Sequence, residues 1–229
     1  WMRTFEHVKL DALNFDMQSV TTESGRVYET PGGRLYPSVT TVLSSYNKKG
    51  LYDWRKRVGE QEANRISRLA ASRGTKLHNA VEKYLLNDLT PLQCKMMLPD
   101  TKSLFQKVKP ILDENLGKIY SIEQALYSDS LQVAGRVDCI AEWNGVLSIV
   151  DWKTSTRNKD ENYIQNYFMQ CSAYSQMFEE ITGTPIEQIV VVIAVEEEDR
   201  PQIFPRNKTT YIPKLVEQIK TYRSTLING

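Results

Sequence analysis

Cysteine is scarce in this chain: three in 229 residues, Cys94, Cys139 and Cys171, with no CxxC pair. An odd, scattered count argues against a disulfide framework and a zinc ribbon, and for a reducing compartment. It is also one thiolate short of the four that an ordinary iron–sulfur cluster requires, so no such cluster is expected. Long apolar runs are missing too. The longest, Ile189 to Val195, falls far short of the roughly 20 residues that span a bilayer. No apolar stretch near the N-terminus has the form of a secretory signal, so a soluble intracellular protein is expected. Neither sign of charge dominates, with 29 Lys and Arg against 28 Asp and Glu. Any surface for a polyanion must therefore come from local segregation of charge. Repeats and low-complexity segments are absent, which leaves one continuous domain over residues 1–229.

What is present reads as a mixed α/β chain. Arg26 to Thr30 and Arg34 to Thr40 flank Pro31-Gly32-Gly33, a short hairpin signal within an N-terminal appendage, residues 1–50. Ser38 stands where a helix N-cap would, ahead of Val39, Val42 and Leu43. Residues 51–88 read as one or two long helices. Trp54, Val58, Ile66, Leu69, Leu77, Val81 and Leu85 supply the apolar stripe, with an interruption expected near Gly74. Leu104 to Leu116 reads as a helix closed by Gly117. The period then shortens: Ser121 to Tyr127, Val133 to Trp143 and Val146 to Lys153 read as strands, the last two joined by Asn144-Gly145. A helix from Tyr163 to Thr182 ends at Gly183, Ile189 to Val195 reads as a buried strand, and Leu215, Ile219, Tyr222 and Leu226 mark a closing helix.

The chemistry concentrates in the central hairpin. Asp151 and Lys153 share one face of an otherwise apolar strand, and the Asn144-Gly145 turn brings Asp138 onto the strand beside them. Burying two carboxylates costs several kcal/mol unless cations compensate, and Lys153 supplies only one charge. The remainder fits a hard divalent ion such as Mg²⁺, which takes carboxylates, a carbonyl and water. The plainer alternative is an Asp–Lys pair with one exposed acid.

Gly135-Arg136-Val137-Asp138, then twelve residues, then Asp151-Trp152-Lys153-Thr154-Ser155 resembles the paired core motif of the PD-(D/E)xK nucleases. The match is nearest the RecB/Cas4-like branch, in the group of the mitochondrial genome maintenance exonuclease and its bacterial and phage relatives. Gly74-Thr75-Lys76-Leu77-His78 resembles that branch's upstream histidine motif, and Gln170-Cys171-Ser172-Ala173-Tyr174 its QxxxY motif. Pro37-Ser38-Val39-Thr40-Thr41-Val42-Leu43 resembles the segment that precedes the long helices in the same group. The resemblance implies a mixed-sheet restriction-endonuclease-like core over residues 118–229, flanked by helices, with a helical arch over residues 51–117.

Residue by residue, it implies that Asp138 and Asp151 ligate the catalytic metal, Mg²⁺ with Mn²⁺ as a substitute, together with the carbonyl of Trp152. Lys153 would hold or deprotonate the attacking water, and His78 would complete the metal shell. Glu82 is placed one helical turn on as a possible orienter, and Glu123 as a further carboxylate. Gln170 and Tyr174, four apart on a helix, would lie near the mouth of the site, contacting DNA or the groups behind the ligands. Between Asp53 and Lys76 seven basic residues, Arg55, Lys56, Arg57, Arg65, Arg68, Arg73 and Lys76, face only Asp53, Glu60 and Glu62. They are placed to guide a phosphate backbone toward the metal. Tyr46, Tyr52 and Trp54 could stack on unpaired bases. Arg136, Ser38 and Thr40 are further candidates for DNA contact.

The function implied is metal-dependent exonucleolytic hydrolysis of single-stranded DNA from a free end, in replication, recombination or repair. The alternatives are a structure-specific endonuclease on the same fold and a DNA-end binding module without activity. A monomer is expected, with any helicase or replication partner a separate protein. The expected location is the cytoplasm of a bacterial or phage-infected cell, or the mitochondrial matrix if a leader had been removed.

Overall fold

The computed structural model describes residues 2–228; Trp1 and Gly229, the two ends of the expected single domain, lie outside the described residues. Three short antiparallel strands come first: β1 (Ser19–Thr22), β2 (Gly25–Glu29) and β3 (Leu35–Pro37). The expected hairpin is β2–β3, and β1 adds an outer strand that its wholly exposed side chains did not announce. Helix α1 (Val39–Ser44) follows, and the Ser38 hydroxyl caps it by accepting the Thr41 N–H at 3.1 Å.

Two helices then run almost end to end, α2 (Lys48–Val58) and α3 (Glu60–Leu85). The break between them is at Gly59, whose φ of 90° and ψ of 150° only glycine adopts readily. It is not near Gly74, where the helix runs on unbroken. The apolar stripe expected to be core is core only in its second half. Leu77, Val81 and Leu85 are buried, but Ile66 and Leu69 are exposed. No residue of α2 is buried, and in α3 only Ala63 is buried before Leu77. Helix α2 and the first half of α3 stand off the body of the protein, and the second half of α3 is part of it.

Helix α4 (Pro91–Lys95) is a single turn opened by a Thr90–Gln93 capping box. Helix α5 (Pro99–Asn115) begins earlier than its apolar pattern suggests, with Pro99 in the first turn. It passes directly into β4 (Leu116–Ser128), so Gly117 belongs to a strand and not to a helix cap. Leu116 is already extended, at φ −77° and ψ 130°, and no left-handed residue is needed to end the helix.

The main sheet has the order β4-β5-β6-β7-β8, from β4, β5 (Val133–Trp143), β6 (Val146–Ser155), β7 (Gln188–Val195) and β8 (Gln202–Asn207). It is mixed: β6 and β7 are parallel and the other neighbours antiparallel. The β5–β6 turn carries Asn144 at φ 51° and Gly145 at φ 79°, the left-handed pair that a two-residue hairpin requires. Helix α6 (Gln165–Thr182) ends at left-handed Gly183 and supplies the crossover that a parallel pair needs. The chain closes with α7 (Ile212–Ile227).

Helices cover both faces of the sheet. Ile189, Val191, Ile193 and Val195 of β7 pack with Phe168, Met177 and Leu215 of α6 and α7. Val190, Val192 and Ala194 pack with Leu77, Val81, Phe105 and Val108 of α3 and α5. A strand buried on both faces reads as an unbroken apolar run, and each such Val or Ile contributes roughly 1.5–3 kcal/mol.

One irregularity positions everything that follows. Cys139, Ala141 and Trp143 face the α3–α5 side, and Ile140 the α6 side. Upstream, Val133 and Val137 also face the α6 side, so the alternation changes phase at Asp138. The β5–β6 ladder stops there: its last pair is Cys139 with Val150, although β5 stays paired to β4 as far as Val133. Two strands that part inside a sheet leave a cleft lined by whatever sits at the fork.

Candidate active site

Asp138 sits at the fork and Asp151 on the first residue of β6 beyond it; they are 8% and 2% exposed. Asp138 Oδ2 accepts the Trp152 backbone N–H at 3.0 Å, which replaces the ladder bond the fork has lost. The same oxygen lies 3.1 Å from Nε2 of His78, which projects from the buried half of α3. His78 Nδ1 is 2.8 Å from the Gly74 carbonyl, one turn back on the same helix. The Gly74 carbonyl can only accept, and so can Asp138 when ionised, an arrangement that favours the doubly protonated ring. Burial alone would lower its pKa, but Asp138 outweighs it and raises the value to about 9. Asp138 itself is pushed up to about 6 by burial and by the Asp151 charge, while His78 holds it down.

Lys153 follows two residues after Asp151 on the same face of β6. Its Nζ is 3.1 Å from Asp151 Oδ2, close enough for an ion pair but too far off-axis for a hydrogen bond. That carboxylate oxygen is therefore buried with no hydrogen-bond donor. Nζ instead donates to Gln170 Oε1 at 3.0 Å and lies 4.8 Å from the centre of the Tyr167 ring. Burial opposes the charge on Lys153, but Asp151 and Asp138 override it and hold the pKa well above the ordinary lysine value.

Glu123 comes from β4 with φ 51°, a left-handed backbone that is uncommon for a side chain of this size and costs of order 1 kcal/mol. It carries the carboxylate toward the cluster: burial, then Asp138, raise its pKa to about 7, and Glu82 adds to the shift. The strained carbonyl is held by Arg136, whose Nη1 donates to Glu123 O at 2.7 Å while Nη2 pairs with Asp16 at 2.8 Å. Arg136 is thus a clamp on the site's own backbone, a role the sequence did not suggest.

Gln170 and Tyr174 share a face of α6 as expected, but that face points inward. They are 7% and 2% exposed, and Gln170 Nε2 donates to the Tyr174 hydroxyl at 3.0 Å. Of the two expected contacts, DNA or the groups behind the ligands, the structure shows the second: Gln170 sits beneath Lys153 and accepts from its Nζ. Ser38 is buried as a helix cap, while Thr40 is exposed on α1 with its hydroxyl 3.1 Å from that of Ser38.

The basic residues of α3 divide. Arg65, Arg73 and Lys76 line a groove of about 830 Å³ that runs from the start of α5 to the end of β6 and Tyr167. Arg65 is paired with Glu62 on its own helix, and Arg68 lies in a separate surface depression. Arg73 turns to Glu196 and Thr156. The acidic run Glu196 to Asp199 and the groove residues Arg157 and Lys159 were not singled out from the sequence. The run itself was the available signal, four acids directly after a buried strand.

This donor set suits a hard divalent cation: three carboxylates, one of them with an undonated buried oxygen, and an imidazole whose Nδ1 faces a carbonyl. Among the described residues no three such side chains are already gathered closely enough to hold an ion. No helix among the described residues is long and apolar enough to cross a membrane.

The chain is 29% identical over 177 residues to mitochondrial genome maintenance exonuclease 1 of Xenopus tropicalis, covering 72% of this chain and 49% of that protein. It is 30% identical over 149 residues to the Homo sapiens protein of the same name, covering 60% and 42%. It therefore spans about half the length of these relatives. Among solved structures, the crystal structure of SSO0001 aligns with a TM-score of 0.41 and 17% identity over 80% of this chain and 74% of that one. A family model matches residues 55–226, from α2 to the end of α7, and with the forked sheet and its acid–lysine cluster it identifies the chain as a member of the PD-(D/E)XK nuclease superfamily.

Proposed function

We propose that the chain is a metal-dependent deoxyribonuclease that degrades single-stranded DNA from a free end. The observation that carries this is Asp151 Oδ2, buried without a well-aligned hydrogen bond and with only the Lys153 ammonium, 3.1 Å away, to offset its charge. Divalent metal use is general in the superfamily. Asp138, Asp151, Glu123 and the Trp152 carbonyl would hold Mg²⁺, and Mn²⁺ in its place, with His78 Nε2 as the nitrogen donor. Bound there, the ion would lower the pKa of a water and offset charge on the phosphate oxygens.

The chain's own residues supply the rest. His78 must give up its Nε2 proton, and the bond to Gly74 keeps Nδ1 protonated so that the correct nitrogen is freed. Lys153, held by Gln170, presents a fixed positive charge to the attacked phosphate and orients the incoming water. Arg73, Lys76 and Arg65 offer cations along the groove to a phosphate backbone.

The single-strand and free-end parts of the reading draw on the helical pair. Tyr52, Leu51 and Leu69 on α2 and α3 are more than half exposed, the sort of surface on which unpaired bases stack. Helix α2 and the exposed first half of α3, beside the groove, would serve as the arch through which an end threads. The relatives' name includes "exonuclease", which supports the same direction.

The test is a time course on end-labelled linear single-stranded DNA beside a closed circle of the same sequence, with Mg²⁺, Mn²⁺ or chelator. Metal-dependent loss of the linear strand alone, abolished in Lys153→Ala, is the expected outcome. Cutting of the circle would replace the reading with an endonuclease. Retention of DNA without cleavage of either form would leave a binding module.

A further inference from the structure

The groove beside the site already contains an anion of the protein's own. Arg73 Nη1 donates to Glu196 Oε1 at 2.8 Å and to Thr156 Oγ1 at 3.1 Å, while the buried Nε of the same guanidinium has no partner. On the groove's other wall, Arg157 Nε is 3.3 Å from Glu197 Oε2. Both acids begin the exposed turn that follows β7, and both arginines line the groove. The base of the turn is firmly held. Lys107 Nζ donates to the carbonyls of Val195 and Glu196 at 3.1 and 2.8 Å, and the Glu196 N–H donates to Ser155 O at 2.9 Å. Backbone anchoring fixes where the turn stands, but the carboxylates reach the arginines through flexible, solvent-exposed side chains.

Glu196 meets the Arg73 guanidinium through one charged oxygen, the place that an oxygen of a phosphodiester would take. We propose that Arg73, with Thr156 and Arg157, forms a phosphate-binding subsite of the groove, and that Glu196 occupies it as an internal phosphate mimic which an entering strand displaces. The inference rests on the DNA reading above and adds to it a site and a competitor. The unpartnered Nε is consistent with this, since a carboxylate held from one side satisfies only part of the guanidinium fork. An exposed carboxylate competes weakly, so a continuous polyanion displaces it whereas isolated small anions do not. The turn thus screens the groove against short or weakly charged ligands.

The test is equilibrium binding of a fluorescent oligothymidylate by anisotropy, in chelator so that no strand is cut. Glu196→Gln keeps the shape and removes the competing charge; it should tighten binding about two- to fivefold at low salt, with the gain fading as salt rises. Glu198→Gln removes the same formal charge from a residue that makes no ion pair among the described residues, and it should change affinity much less. In an Arg73→Gln background the Glu196→Gln gain should vanish. An equal gain from both glutamates, or a gain that survives without Arg73, would reduce the effect to general repulsion and overturn the subsite. So would unchanged or weaker binding by Glu196→Gln when the unmodified protein binds. If the unmodified protein binds no DNA at all, the DNA reading itself falls and takes the subsite with it.

Discussion

His78 offers the most direct test of the site, because its protonation in metal-free protein is measurable as stability. Its pKa is raised from 6.5 to about 9, since Asp138 outweighs the burial that would lower it. A group with a higher pKa folded than unfolded binds its proton more tightly in the native state. Its stabilisation is therefore complete below pH 6.5 and is lost as pH rises through about 9. At about 1.36 kcal/mol per unit, and counting the His78–Asp138 pair once, the loss is roughly 3 kcal/mol. For a chain of this size that is roughly 6–12 °C in Tm. Asp138, raised from 3.8 to about 6 by burial and Asp151, acts with the same sign at lower pH, as does Glu123, raised from 4.5 to about 7. Thermal melts in chelator should thus show Tm falling steadily between pH 6.5 and 9, and His78→Gln should flatten the curve. Mg²⁺ or Mn²⁺ should reverse the trend, because the cation competes with those same protons and its stabilisation grows with pH. Parallel curves for the two proteins in chelator would refute the ion pair at the centre of the site.

Two further substitutions probe how Lys153 and the helix beneath it are held. Gln170→Leu removes the hydrogen bond to Lys153 Nζ while preserving the buried volume; kcat on end-labelled DNA should fall about ten- to a hundredfold with KM little changed. An equal rise in KM would show Gln170 touching the strand instead. Gly135→Ala places a Cβ 2.8 Å from Tyr174 Cε1, and the ring, 2% exposed, has no room to swing away. Denaturant unfolding should show a loss of about 1–3 kcal/mol, whereas a neutral result would mean that α6 shifts to accommodate the methyl group.

Much of the scaffold was legible because it follows from local rules. Asn144-Gly145 specifies a two-residue turn, and the turn sets the register that brings Asp138 next to β6. Ser38 caps α1 and Gly183 ends α6 through chemistry confined to a few neighbouring residues. The unbroken apolar run of β7 signalled a strand covered on both faces. Elements whose side chains stay wet left weaker traces: β1 and β8 carry no clean alternation, and half of the α3 stripe faces solvent because nothing packs over it.

The sequence by itself determined that two acids and a lysine lie close together in an apolar strand pair, because a two-residue turn and the alternation of a strand set that neighbourhood locally. Tertiary structure alone decided how those groups are held. The phase change at Asp138 appears only where β5 leaves β6, and the left-handed Glu123 is stable only because Arg136, itself tied to Asp16, holds its carbonyl. Gln170 and Tyr174 turn inward because α6 buries that face against the sheet, a choice a helical repeat does not encode. Glu196 meets Arg73 across more than a hundred residues of chain. Each of these depends on contacts between distant segments, and periodicity and capping rules, which act over a few residues, carry no information about them.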